Sequence, residues 1–212
     1  MKRAAISIVA CLVALAAVSA GAAPQGRTAK PPAKPPAKKT SAVFTCAAEL
    51  GMGAASKRRF CDVIVASVAA DSVSVTIPAH TGPATLMFDL HNRFTVPAAQ
   101  ADIARVFTRH TAVVAVIRQA GELIDRVAVT RDYRTPADLF DRISGAARGG
   151  PLKVIAPGAP QALRVTIPSG VGAIGIVGAR LEEWRAAGRG AFDSPGLPIA
   201  IVSNVRVEYT PR

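Results

Sequence analysis

Aromatic residues are scarce in this chain: one tryptophan, two tyrosines and seven phenylalanines make up 5 % of 212 residues. That scarcity argues against a surface where aromatics alternate with basic groups to stack nucleic-acid bases, so no specific nucleic-acid partner is expected. Histidine is nearly as rare, with His80, His91 and His110 alone, and no H-x-H or H-x-x-x-H spacing offers a ready metal site. There is no G-x-S-x-G, no phosphate-binding loop and no cysteine set in a nucleophile's context. The bare pattern Gly170-Val171-Gly172-Ala173-Ile174-Gly175 follows a proline and opens an apolar run, without the helix start a dinucleotide loop needs. No cofactor is expected. Acidic residues are missing from residues 1–42 altogether, and beyond residue 20 no apolar run is long enough to cross a membrane.

What is present begins with an address. In "MKRAAISIVACLVALAAVSA", Lys2 and Arg3 precede the uncharged apolar run Ala4–Val18, and small residues at Val18-Ser19-Ala20 or Ala20-Gly21-Ala22 offer a cleavage site. Residues 1–20 therefore read as a signal peptide, which sends the protein to the periplasm or the exterior. Cys11 bisects the apolar run instead of closing it, so it reads as part of the signal and not as a lipid attachment point. Residues 21–42 hold "AKPPAKPPAKK", with Arg27, Lys30, Lys34, Lys38 and Lys39 and no acid. Proline removes donors and fixes φ, so this segment is expected to be a disordered, extended linker. It reads as a solvated spacer or as an electrostatic tether to an anionic envelope polymer or an envelope protein. Of the 26 basic residues, 19 lie in residues 43–212 beside all 14 acids, so the body itself is only mildly basic.

Export leaves Cys46 and Cys61, an even pair that predicts one disulfide in an oxidising compartment. Residues 43–212 are expected to form a single domain whose dominant period is two. "DSVSVTIP" sets Val73, Val75 and Ile77 against Ser72, Ser74 and Thr76, and "ATLMFDLH" sets Leu86, Phe88 and Leu90 against Thr85, Met87, Asp89 and His91. "TAVVAVIRQAGELIDRVAVTRDY" predicts a hairpin turning at residues 119–122. "IAIVSNVRVEY" puts Ile199, Ile201, Val205, Val207 and Tyr209 on one parity. One helix is predicted from Thr135 to Ile143, with Thr135 as N-cap, Pro136 in the first turn and Asp138 three residues after the cap, and a second helical turn over 98–106. The class expected is all-β, an antiparallel, jelly-roll-like β-sandwich with one or two short helices. "SVTIPAHTGPA" from Ser74 and "RVTIPSGVGAI" from Arg164 echo each other at an offset of 90 residues.

The residues left for chemistry are few. His80, Asp89 and His91 are the weak catalytic or metal-binding candidates, since a strand places Asp89 and His91 on one face and a hairpin brings a turn histidine near. Glu182-Glu183-Trp184 hints at a sugar site with Trp184 as stacking platform, but adjacent glutamates on a strand face opposite ways. The function expected is that of an exported, non-enzymatic binding or structural module of the cell envelope or exterior. The alternatives are an extracytoplasmic hydrolase or metal-dependent enzyme using His80, Asp89 and His91, and a subunit of an envelope assembly. The oligomeric state is not set by the sequence.

Overall fold

The computed structural model describes residues 35–95, 107–144 and 152–212. The signal peptide expected over residues 1–20, the basic residues Arg27, Lys30 and Lys34, and the helical turn expected at 98–106 lie outside the described residues. Within them the chain is almost wholly antiparallel β-structure. The strands are β1 (Lys38–Ser41), β2 (Val43–Cys46), β3 (Ala48–Gly53), β4 (Arg59–Ile64), β5 (Val73–Thr76), β6 (Ala84–His91), β7 (Phe94–Thr95), β8 (Thr108–Arg118), β9 (Leu123–Tyr133), β10 (Leu139–Ser144), β11 (Leu152–Pro157), β12 (Gln161–Ile167), β13 (Ala173–Arg185), β14 (Gly188–Phe192) and β15 (Pro198–Tyr209). They form two sheets. The first runs β12-β6-β15-β4-β3-β10-β11-β7 with β1 added on β15; the second runs β2-β5-β13-β8-β9 with β14 added on β13.

Period-two alternation builds the main core. Val73 and Val75 of β5, Leu86, Phe88 and Leu90 of β6, Ala112, Val114 and Val116 of β8, Val165 and Ile167 of β12, and Ile174 and Ile176 of β13 join one buried cluster fed by both sheets. The predicted hairpin is present: β8 and β9 pair from Thr108↔Tyr133 to Ile117↔Leu123, with Arg118 and Gly121 closing the turn. Gly178 of β13 is there because a Cβ would collide with the Ile199 side chain, so the glycine run is a packing device of strand β13.

The two Val-Thr-Ile-Pro segments turn out to be partners. Each leads a strand out of one sheet, turns after its proline and enters the other sheet, as β5 to β6 and as β12 to β13. β5 then pairs with β13 and β6 with β12, so the two arches clasp each other about a local near-two-fold relation. His80, in the first turn, bridges them: its Nδ1 lies 2.8 Å from the Pro78 carbonyl and its Nε2 3.4 Å from the Pro168 carbonyl.

Three expectations are corrected. The helix predicted from Thr135 is a single 3-10 turn, Pro136–Asp138, and Leu139, Phe140 and Ile143 belong to β10. The start signals are real, for the Asp138 carboxylate accepts from the Thr135 and Arg134 amides. Pairing of the following residues with β3 and β11 overrides them. The parity of β15 is broken by a bulge at Asn204, whose φ of 54° is left-handed, so Ile201 faces away from Val205 and Val207. Finally, the strand ladder begins inside the basic segment assigned to the linker, because Lys38–Ser41 pairs with Arg206–Tyr209.

The predicted disulfide is present. Cys46 of β2, in the second sheet, is joined to Cys61 of β4, in the first, with their Cα atoms 5.5 Å apart. It closes a loop of 15 residues, for which the chain-entropy model gives about 3 kcal/mol. Cys46→Ala should lower the unfolding free energy by about that amount and raise the m-value, because the denatured chain loses its cross-link, and a reducing agent should bring the parent down to the same stability while leaving the variant where it is.

Candidate functional site

The candidates Asp89 and His91 do not face water. β6 lies between β12 and β15, and β15 lies between β6 and β4, so register places Asp89, Ser203 and Phe60 in one row and His91, Ile201 and Asp62 in the next. All six share the face turned away from the main core. There a second apolar cluster of Phe60, Ile143, Ala156 and Ile201, flanked by Leu50 and Phe140, closes over them. The sequence expects a solvated strand face; β10, carried round by β3, covers it instead.

The geometry of this buried polar row is specific. The His91 Nε2 and Ser203 Oγ are 2.9 Å apart. The His91 ring stands edge-on to Phe60 at 5.4 Å and leans on Phe140 at 4.9 Å. Arg58 donates to the Asp89 carboxylate at 2.7 Å, and Asn204 Nδ2 donates to the same oxygen at 2.9 Å. Asp141, on β10, accepts from the amides of Ala55 and Ser56 and from the Ser56 hydroxyl. Burial pushes its carboxyl up, yet the donors from Ser56, Ala55 and Arg142 outweigh this and hold it below the usual carboxylate range. Burial also lowers His91 to about 4, against the pull of Asp89, so its imidazole is neutral at pH 7.

A histidine within hydrogen-bonding reach of a serine has the spacing of a base and its nucleophile. The rest of the arrangement is absent. His91 is 1 % and Ser203 0 % exposed, and Asp89 is engaged by Arg58 and Asn204 while His91 Nδ1 has no hydrogen-bond partner among the described residues. His80 sits before the opposite end of β6, held by the two proline carbonyls. The three residues grouped by sequence are therefore not brought together, and among the described residues no set of three His, Cys, Asp or Glu side chains converges on a metal position. The polar row fastens β10 over the sheet.

Another buried histidine, His110, carries no functional signal in the sequence, where it looks like one more member of a strand. His110 of β8 lies 3.3 Å from Glu183 of β13, without hydrogen-bond alignment, and Arg185 holds the other side of Glu183 at 2.8 Å. Burial lowers His110 to about 4, with Glu183 opposing. Asp62 is buried as well. Burial raises its carboxyl to about 6, with Arg93, 3.4 Å away, pulling the other way.

Outside these interiors, Glu182 and Glu183 do point to opposite faces, and Trp184 stands 46 % exposed with the Arg189 guanidinium 5.0 Å from its ring centre. A shallow cleft of about 250 Å³ lies beside it, lined by Glu183, Arg185, Ala187, Gly188, Arg189 and Gly190. Lys38 and Lys39 of the basic segment are exposed on β1. No helix among the described residues is long and apolar enough to cross a membrane. Comparison of the chain with models of known protein families, with characterised proteins and with solved structures finds no match in any of the three.

Two outcomes test this account of the polar row. Asn204→Gly keeps the left-handed backbone but loses the bond to Asp89, and should cost about 1.5 kcal/mol; Asn204→Ala adds the left-handed penalty and should cost roughly 1 kcal/mol more, both read from urea midpoints. The pH dependence has two opposed parts. His91 and His110, lowered to about 4, leave the unfolded chain binding more protons, so their contribution falls away as pH drops from about 6.5 towards 4. Asp62, raised to about 6, makes the folded chain hold the extra proton, so its contribution is lost as pH rises from about 4 through 6. Asp62→Asn should therefore gain on the parent between pH 4 and 6, reaching on the order of 2 kcal/mol at pH 7; a constant offset across that range would refute the assignment.

Proposed function

We propose that this protein is an exported, non-enzymatic binding module of the cell envelope or exterior, its two sheets forming a jelly-roll-like sandwich and its basic leader serving as spacer and electrostatic tether. The observation that carries this reading is the Cys46–Cys61 disulfide. A cross-link of this kind belongs to an oxidising compartment, in agreement with the signal-like residues 1–20. It also fastens the chain just after the basic segment to Cys61, a fully buried residue of β4. The five cations Arg27, Lys30, Lys34, Lys38 and Lys39 are thereby linked to a rigid body, and at an anionic surface each is worth about 1 kcal/mol.

The interior supports binding over catalysis. The imidazoles of His91 and His110 are buried and neutral, and the carboxylates of Asp89 and Asp141 are consumed by internal donors. What the body offers to solvent is strand faces and hairpins.

The test is sedimentation of the full chain with bacterial envelopes at low and high salt. The variant Arg27→Gln, Lys30→Gln, Lys34→Gln, Lys38→Gln, Lys39→Gln should lose most of the sedimented fraction at low salt, and the parent should lose it at high salt. Equal sedimentation of parent and variant at both salts would remove the tether from the reading.

A further inference from the structure

The outer face of the second sheet carries an arrangement that no buried core requires. Register sets Arg189, Trp184, Arg109 and Asp132 in one row across β14, β13, β8 and β9. The next row on the same face holds Glu182, Thr111 and Thr130, with the two threonine hydroxyls 2.8 Å apart. Neighbouring strands are about 4.8 Å apart, so a row across four strands spans about 14 Å. The indole stands in the middle of it.

The charges around the indole do not balance. On one side Asp132 is shared by Arg109, at 2.7 Å, and Arg134, at 3.0 Å. On the other side Glu182 is shared by Arg189, at 2.6 Å, and Arg180, at 3.1 Å. Each carboxylate meets two guanidiniums and can neutralise one. Two positive charges therefore remain, one on each flank of Trp184. The guanidiniums are about half-exposed, so these pairs are weakly held and an incoming carboxylate competes for them at little cost. A guanidinium fork matches a carboxylate in two-point geometry. An exposed indole offers a flat apolar face with little entropy to lose.

We propose that this face, Trp184 flanked by the half-neutralised pairs Arg109/Arg134 and Arg180/Arg189, is a binding site for an acidic oligosaccharide. The inference rests on the binding-module reading and supplies its ligand class. The less polar face of one sugar ring lies on the indole. Carboxylates of the neighbouring rings pair with the arginines on either side, and Thr111 and Thr130 meet hydroxyls. Charge complementarity selects uronate-bearing chains over neutral ones. Single-stranded nucleic acid fits less well, because base stacking uses successive aromatics and this row has one.

Trp184 is the only tryptophan in the chain, which makes its fluorescence a direct reporter of the site. Full-length protein is titrated with oligogalacturonate, with neutral gluco-oligosaccharides of equal length and with oligothymidylate. The expected result is a saturable fluorescence change with oligogalacturonate alone, about tenfold weaker in Arg180→Gln, Arg189→Gln. The change should persist when the five leader cations are replaced by glutamine. Trp184→Ala, followed by affinity electrophoresis in a uronate gel, should lose its retardation while unfolding at the parent's temperature. No fluorescence change, or an equal one with neutral sugar or oligothymidylate, overturns the proposal. Uronate binding that disappears with the leader cations overturns it as well. A flat titration alongside leader-dependent sedimentation with envelopes would sink this site and leave the tethered module standing; failure of both would remove both.

Discussion

Strands β6, β15 and β4 have no wet face, and much else in the structure follows from that. Their inner side feeds the main core, and their outer side is closed by β10 and the apolar residues it brings. Every polar group on that outer side must find a partner within the protein or change its charge state. Asp89 takes a guanidinium and a carboxamide. Asp141 keeps its charge by accepting a cluster of donors from the Ala55–Ser56 turn. His91 gives up its charge and settles for a hydroxyl. Asp62 has only an imperfectly aligned arginine, and its carboxyl accordingly drifts up to about 6. Burial of that face thus bears on three ionisation states, those of Asp141, His91 and Asp62.

The same burial explains what sequence reading recovers here and what it does not. Alternation identifies strands, as in Val73 and Val75 or in the β8–β9 hairpin, because one side of each is dry and the pattern is imposed residue by residue. It does not say what lies above the polar side of a strand. Asp89 and His91 read as solvent-facing since nothing local announces that β10, some fifty residues on, folds over them. The helix predicted at Thr135 fails for a related reason. Thr135, Pro136 and Asp138 do start a helical turn, and Leu139, Phe140 and Ile143 have helix-face spacing, but long-range pairing takes them into β10, whose register shifts between Leu139 and Asp141. The bulge at Asn204 is a smaller case: asparagine tolerates the left-handed region, and nothing in "IVSNVRV" requires it to be used. The disulfide, by contrast, was a matter of counting.

The repeated Val-Thr-Ile-Pro segment had a readable form and an unreadable meaning. Its recurrence gives two strands that stop at a proline; only the structure makes each the partner of the other. The clasp places both prolines at one end, where a single histidine touches both carbonyls. His80 is thereby accounted for by architecture, and the chemistry once assigned to a His80–Asp89–His91 group dissolves into two separate structural tasks. Trp184 moves the other way: the tryptophan that the sequence offers as a stacking platform stands exposed among arginines and carboxylates on a strand face.

The position of the cross-link has a mechanical consequence. Were the leader to tether the protein to a surface, as proposed above, fluid moving past would pull on it. Tension arriving at Lys38 meets β1, a fully exposed strand of four residues on β15. If β1 peels, the pull passes to the four residues of β2 and stops at Cys46, where a covalent bond carries it to Cys61. Cys61 lies in a strand hydrogen-bonded on both sides, to β3 and to β15. Such a force would therefore be spread through the middle of the first sheet instead of unravelling the second from its edge.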